Sequence, residues 1–175
     1  MLLKKMSNKF KKNILTIFGI GNIIFAPGTY ASLFTCFFFS ILIILKINLI
    51  ILLFFFLILI PYSVFIINSN LNLFRKIDAK EIVIDEFIGQ SIPIFFGYYF
   101  LDKISNFNAD IDKLFLLKFM TISFLTFRFF DITKTYPINL IDKIKNGYGV
   151  IFDDVIAGIY STIVTYLIFN YKILS

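Results

Sequence analysis

Five apolar runs organise the chain, at about 33–45, 49–67, 88–101, 114–127 and 155–170. The strongest, LIILLFFFLILIPYSVFII, covers 19 residues without a charge. Lys46 and Asn48 separate it from the first run, as a tight hairpin turn would. The last three runs hold 14 to 16 residues each, so as helices they cover roughly 21–24 Å of a hydrocarbon core about 30 Å thick. They cross a bilayer only if flanking residues join in or the bilayer thins. A buried helical bundle is the alternative for these three. The pattern therefore predicts an all-α, multi-pass helical membrane protein, a bundle that includes short amphipathic or apolar helices. Polar loops fall at 68–81 and 102–113, and there is no repeat or linker. We expect a basic N-terminal segment, 1–17, followed by a single domain, 18–175.

Composition sharpens this. The chain of 175 residues is 59% hydrophobic, with a mean hydropathy of +0.88. Phe is abundant while His and Trp are absent. Such a bias can place Phe and Ile where any apolar residue would serve, so hydropathy overstates the number of spans. Lys and Arg total 17 against 11 acidic residues, a net charge of +6. Lys4, Lys5, Lys9, Lys11 and Lys12 precede every acidic residue. No nucleic-acid motif accompanies them, and beside apolar segments they set membrane orientation. Gly, Asn, Pro and Thr interrupt residues 13–30, which argues against a signal peptide. A cytoplasmic N-terminus then puts Arg75, Lys76, Lys80, Arg128, Lys134, Lys143 and Lys145 on the inner face, as the positive-inside bias requires.

Seven of the eleven acidic residues collect on that same face, in three clusters. EIVIDEFIG carries Glu81, Asp85 and Glu86, and a spacing of four puts Glu81 and Asp85 on one helix face. FRFFDITK carries Arg128, Asp131 and Lys134 at three-residue steps. IDKIKNGYGVIFDDVIAG carries Asp142, Asp153 and Asp154. Without histidine there is no phosphohistidine route, no Ser-His-Asp triad and no imidazole-bound zinc. Cys36, the single cysteine, lacks a Cys-x5-Arg context and permits neither an intrachain disulfide nor a CxxC metal site. Carboxylate chemistry remains. Clustered Asp and Glu oxygens suit Mg²⁺, which polarises a phosphoryl group and acidifies bound water. Arg128 and Lys134 are the cations able to hold phosphate oxygens.

Plainer roles exist for each group. Asp153 and Asp154 would cap the last helix, Glu81 would be a solvated helix residue, and Arg128 would snorkel beside Asp131. DIDK at 110–113 reads as a loop. In FGIGNIIFAPGTYAS, Thr29 is positioned to cap the helix of the first apolar run. A turn opening into a helix N-terminus can also present N–H groups to an anion.

Taken in order, APGTYAS, IVIDEFIG, FRFFDITKTYP, IDKIKNGYG and DDVIAG resemble phosphatidylglycerophosphatase A over about residues 18–166. The resemblance implies an all-helical, Mg²⁺-dependent lipid phosphatase of the bacterial inner membrane, active on its cytoplasmic face. It would convert phosphatidylglycerophosphate to phosphatidylglycerol in phospholipid biosynthesis. Carried over by position, Asp85, Glu86, Asp131, Asp153 and Asp154 are the metal and water-activating carboxylates. Arg128 and Lys134 bind phosphate, helped by Gly28 and Thr29 in the Pro27 turn. Asp142, Gly147, Gly149, Ala157 and Gly158 also fall on family positions. The chain departs from the family at Thr135 and Tyr136, where the family commonly has K-P-x-P, at Ala31, and in its missing histidines. The rival reading is a multi-pass transporter or ion pathway, in which charges would lie within the spans; Lys118 is the one well inside an apolar run. A CDP-alcohol phosphotransferase would resemble D-G-x2-A-R, which this sequence lacks.

Overall fold

The computed structural model describes residues 2–69, 79–105 and 113–174. These form seven α-helices: α1 (Leu2–Leu15), α2 (Pro27–Ile44), α3 (Leu49–Ser69), α4 (Ile84–Ser105), α5 (Lys113–Thr133), α6 (Ile138–Ile141) and α7 (Gly147–Leu174). No strand occurs among the described residues. The all-helical expectation holds, and each of the five apolar runs lies on one helix. Arg75, Lys76 and most of DIDK fall outside the described residues.

Local chemistry accounts for the helix ends. Pro27 opens α2, where a missing N–H costs nothing. Lys46, in a left-handed conformation, closes the predicted hairpin between α2 and α3. At the start of α7, the Asn146 side chain accepts the N–H groups of Tyr148 (2.9 Å) and Gly149 (3.1 Å). Asn68 of α3 accepts the N–H of Gly147 at 2.7 Å. Two sequence expectations are corrected here. Asp153 and Asp154 do not cap α7, because the helix begins earlier and asparagines satisfy its first donors. Thr29 does not cap α2, because Ala26 holds the cap position and Thr29 lies within the first turn.

Helix α7 is the spine, packing on α4 most extensively and also on α5, α3 and α6; α2 packs on α4 and α5. One core joins Leu15 and Ile17, at the end of the basic segment, to Ile66, Val83, Ile88 and Ile151. A second gathers Phe39, Ile94, Phe119 and Phe169. A third, smaller one sets Phe127, Ile138 and Ala157 together. The helices carrying the short runs are longer than those runs: α4, α5 and α7 have 22, 21 and 28 residues, about 32 Å or more each. By length and composition together, two helical segments among the described residues can cross a membrane, Pro27–Ile44 and Gly147–Tyr171. Both begin at the same end of the molecule, where the acidic clusters meet. Many large apolar side chains face outward, among them Phe37, Phe54, Leu57, Ile58 and Phe65. In a bilayer such side chains would gain nothing by burial, and helix association would depend on close backbone approach and polar contacts. The α4–α7 crossing shows this. A Cβ on Gly158 would come within 2.4 Å of the Gly89 carbonyl oxygen, and one on Gly89 within 2.7 Å of the Asp154 carbonyl oxygen. The two glycines let α7 lie directly on α4.

Candidate active site

That crossing brings Asp154 of α7 beside Asp85 and Glu86, in the first turn of α4. One oxygen from each of the three lies within 4.8 Å of the others. Glu81 does not join them: α4 starts at Ile84, and Glu81 is exposed in the preceding turn. The predicted sharing of a helix face by Glu81 and Asp85 fails because the helix does not reach back that far. Asp85 Oδ1 and Glu86 Oε2 are buried without a hydrogen-bond partner among the described residues. Burial, then the Glu86 charge, pushes the Asp85 carboxyl well above the usual carboxylate range. Glu86 is also raised, chiefly by burial. Unpartnered, inward-facing carboxylate oxygens with raised proton affinity are a costly arrangement that a bound cation relieves. The donor set of three carboxylates is hard oxygen, as Mg²⁺ or Ca²⁺ requires. The residues present therefore fit a divalent ion.

Glu86 reaches further, to the start of α2. A Cβ on Gly28 would fall 1.9 Å from Glu86 Oε1, so only glycine leaves room for the carboxylate. The anion-facing turn expected at Gly28 and Thr29 thus meets an anion from the protein itself, with the positive end of the α2 dipole behind it.

The second half of the cluster is organised by Lys134. Its Nζ lies 2.6 Å from Asp153 Oδ2, 3.1 Å from Asp131 Oδ1, 3.6 Å from Asp154 Oδ1 and 3.8 Å from Asp142 Oδ1. Burial works against its charge, but Asp154, Asp153 and Asp131 outweigh that and hold the ammonium above its ordinary range. Arg128 pairs with the other oxygen of Asp131 at 2.5 Å, as the three-residue spacing on one helix face predicts, whereas Lys134 lies past the end of α5 and not on that face. Arg128 Nε is buried without a hydrogen-bond partner among the described residues.

Two clefts flank the Asp85–Glu86 pair. One, of about 670 Å³, is lined by Lys134, Asp142, Lys145, Asp153 and Asp154. The other, of about 460 Å³, is lined by Phe25, Gly28, Thr29, Lys80 and Arg128. Every site residue expected from sequence thus borders one cleft or the other. Sequence reasoning missed Gly89, whose role depends on which helix crosses it, and Asn146, whose N-cap signal two residues before Tyr148 was readable. Cys36 is buried in the second core, with Phe39 and Met120.

Such a fold and cluster define an all-helical protein with a carboxylate cluster set beside two cations. Residues 13–169 match the family model described as phosphatidylglycerophosphatase A, and the chain belongs to that family. It is similar to phosphatidylglycerophosphatase A of Haemophilus influenzae, 34% identical over 171 residues, covering 95% of this chain and 93% of the relative. It is also 29% identical over 150 residues to a Bacteroides thetaiotaomicron protein provisionally named a phosphatidylinositol-3-phosphatase, covering 85% of this chain and 86% of that one. No solved structure matches the chain.

Proposed function

We propose that the protein hydrolyses the terminal phosphate of phosphatidylglycerophosphate, giving phosphatidylglycerol and phosphate, with Mg²⁺ as cofactor. Family membership makes it a lipid phosphatase. One observation carries the site: Asp85, Glu86 and Asp154 converge with two buried, unpartnered oxygens. These three would hold the ion, with Asp131 and Asp153 adjacent. When bound, Mg²⁺ supplies Lewis-acid polarisation of the phosphoryl group and a more acidic water.

The remaining work falls to the chain's own side chains. Arg128, which lines the cleft with the Gly28–Thr29 turn, would hold non-bridging phosphate oxygens through its guanidinium. Lys134 borders the neighbouring cleft, but four carboxylates already surround it. The proton acceptor for the attacking water would be a carboxylate of this same cluster. Because both apolar spans begin at this end, we place the site at the bilayer surface, on the cytoplasmic face of a bacterial inner membrane. There it meets a lipid head group without extracting the lipid. The transporter reading finds less support: Lys118 is exposed on α5 instead of lining the interior.

Phosphate release from phosphatidylglycerophosphate by purified protein, with Mg²⁺ and then with EDTA, tests this. Activity abolished by chelation and restored by Mg²⁺ is expected. An Asp154→Asn variant with near-normal turnover would sink the ligand role of Asp154, and ion flux in liposomes without phosphate release would favour transport.

A further inference from the structure

The two halves of the carboxylate cluster differ in what neutralises them. Asp131 and Asp153 face two cations, Arg128 and Lys134, at 2.5–3.1 Å. Asp85 and Glu86 have no cation within ion-pair distance among the described residues. Asp154 stands between, grouped with Asp85 and Glu86 on one side and 3.6 Å from Lys134 Nζ on the other. In two-metal phosphatases a pair of ions about 3.5–4 Å apart clamps the reacting phosphate, with carboxylates around both. Here an ammonium, Lys134 Nζ, stands among the carboxylates next to the Asp85–Glu86–Asp154 group.

The backbone gives independent support. Lys134 follows the last residue of α5 and has φ 45, in the left-handed region. Its N–H donates to the Phe130 carbonyl at 3.0 Å, closing the helix. Glycine is the usual residue at such a helix end, and a side chain there is strained. Lysine at this position turns its side chain back over the end of the helix, into the carboxylates. The strain is accepted where the ammonium is needed.

We infer that Lys134 is a built-in cation occupying the place of a second metal ion, so that the protein is a single-metal phosphatase whose lone divalent ion sits at Asp85, Glu86 and Asp154. The inference rests on reading those three carboxylates as the metal seat. Lys134 is then a positioning residue: it holds Asp153 and Asp131 in place, and it excludes a second ion from the Asp154 side. A lysine has three N–H donors and a fixed single charge. One divalent ion plus one ammonium leaves the cluster less positive than two metals would, and removes one exchangeable component.

The experiment counts ions without needing turnover. Mn²⁺ is titrated into purified, metal-free protein in detergent, and bound ions are counted by electron paramagnetic resonance. Wild type should take up one ion with an uncoupled spectrum. The test variant is Lys134→Gly, because glycine suits the left-handed backbone and removes the ammonium together with its side chain. It should bind a second Mn²⁺, and its spectrum should show spin coupling between neighbouring ions. Lys134→Arg, which keeps the charge, should still bind one. Two coupled ions in wild type, or a single ion at unchanged affinity in Lys134→Gly, overturns the inference while leaving the metal seat intact. No ion in wild type overturns the seat, and with it this inference. If Lys134→Gly does not fold, the wild-type count and the Lys134→Arg count decide. One ion with no lipid hydrolysis would instead spare the inference and refute the proposed activity.

Discussion

The α4 half of the site and the α5–α7 half carry the same kind of side chain in opposite states. On α4, Asp85 and Glu86 are half-buried and adjacent, and each has one buried oxygen without a hydrogen-bond partner among the described residues. On α5 and α7, Asp131 and Asp153 are tied to Arg128 and Lys134 within 3.1 Å. Burying a carboxylate is costly in both places, and the fold offsets it in one place only. The difference teaches how to separate function from support in an acidic cluster. The completed half is a scaffold, and the incomplete half is where a ligand belongs.

The largest expected effect breaks the incomplete half directly. Glu86→Gln keeps the shape beside Gly28 but removes the charge, and turnover should fall about 10²–10⁴-fold. Mn²⁺ affinity should fall with it, measured in the same titration used for Lys134. Gly28→Ala attacks the same carboxylate from the opposite wall. Its Cβ would meet Glu86 Oε1 at 1.9 Å, so Glu86 must move. Altering a group that positions a metal ligand typically costs about 10–100-fold in metal affinity or activity. We expect a loss in that range with an unchanged helical circular dichroism spectrum. Full activity in Gly28→Ala would show that the position of Glu86 is not critical.

A pH effect comes next in size. The Asp85 and Glu86 carboxyls are raised above their unfolded values, first by burial. Protonated carboxyls favour the fold, so this contribution is fully present below the unfolded pKa, near pH 4, and is lost as pH rises through the folded pKa. Metal-free protein should therefore melt at a lower temperature at about pH 8 than at about pH 5. Mg²⁺ should add more stability at the higher pH, because it binds the ionised pair. The check is Tm at both pH values with EDTA or Mg²⁺. A metal-free Tm that rises with pH would contradict the unpartnered state of the pair.

The sequence showed a good deal of this arrangement. Hydrophobic runs located the five longest helices after α1, and the absence of histidine left carboxylates as the only chemistry. The i, i+3 spacing of Arg128 and Asp131 survived as a local helical property, while Lys134 lies past the end of α5 and reaches Asp131 through a left-handed backbone. The failures were long-range or lay at helix ends. Nothing near Gly89 says that α7 crosses there, so the convergence of Asp154 on Asp85 was not visible as geometry. Helix α7 begins at Gly147 because asparagines cap it, and the Asp153–Asp154 pair therefore sits inside the helix. Adjacent positions on a helix diverge by about 100°, which sends Asp153 to Lys134 and Asp154 to the α4 pair. Glu81 was misplaced for the same reason in reverse, with α4 starting three residues after it.

The smallest effect tests how firmly α5 and α7 hold their half of the cluster. One to three helical turns from Asp131 and Asp153, Thr126 meets Ser161 at 2.6 Å and Thr165 at 3.1 Å, and Ser161 donates to the Ser123 carbonyl at 3.2 Å. Interhelical hydrogen bonds in membrane bundles average about 0.6 kcal/mol, so Thr126→Val with Ser161→Ala should cost about 1 kcal/mol of unfolding stability. Turnover should stay within about twofold, since Lys134 and Arg128 fix their half of the site without help from this contact. Unfolding in mixed detergent and phosphate release on the lipid measure the two quantities. A loss of turnover much larger than the loss of stability would mean that the spacing of α5 and α7, more than the four ion pairs of Lys134, sets where Asp154 stands. The contrast between a finished half and an open half would then be a property of the whole bundle, carried through its interior to the metal seat.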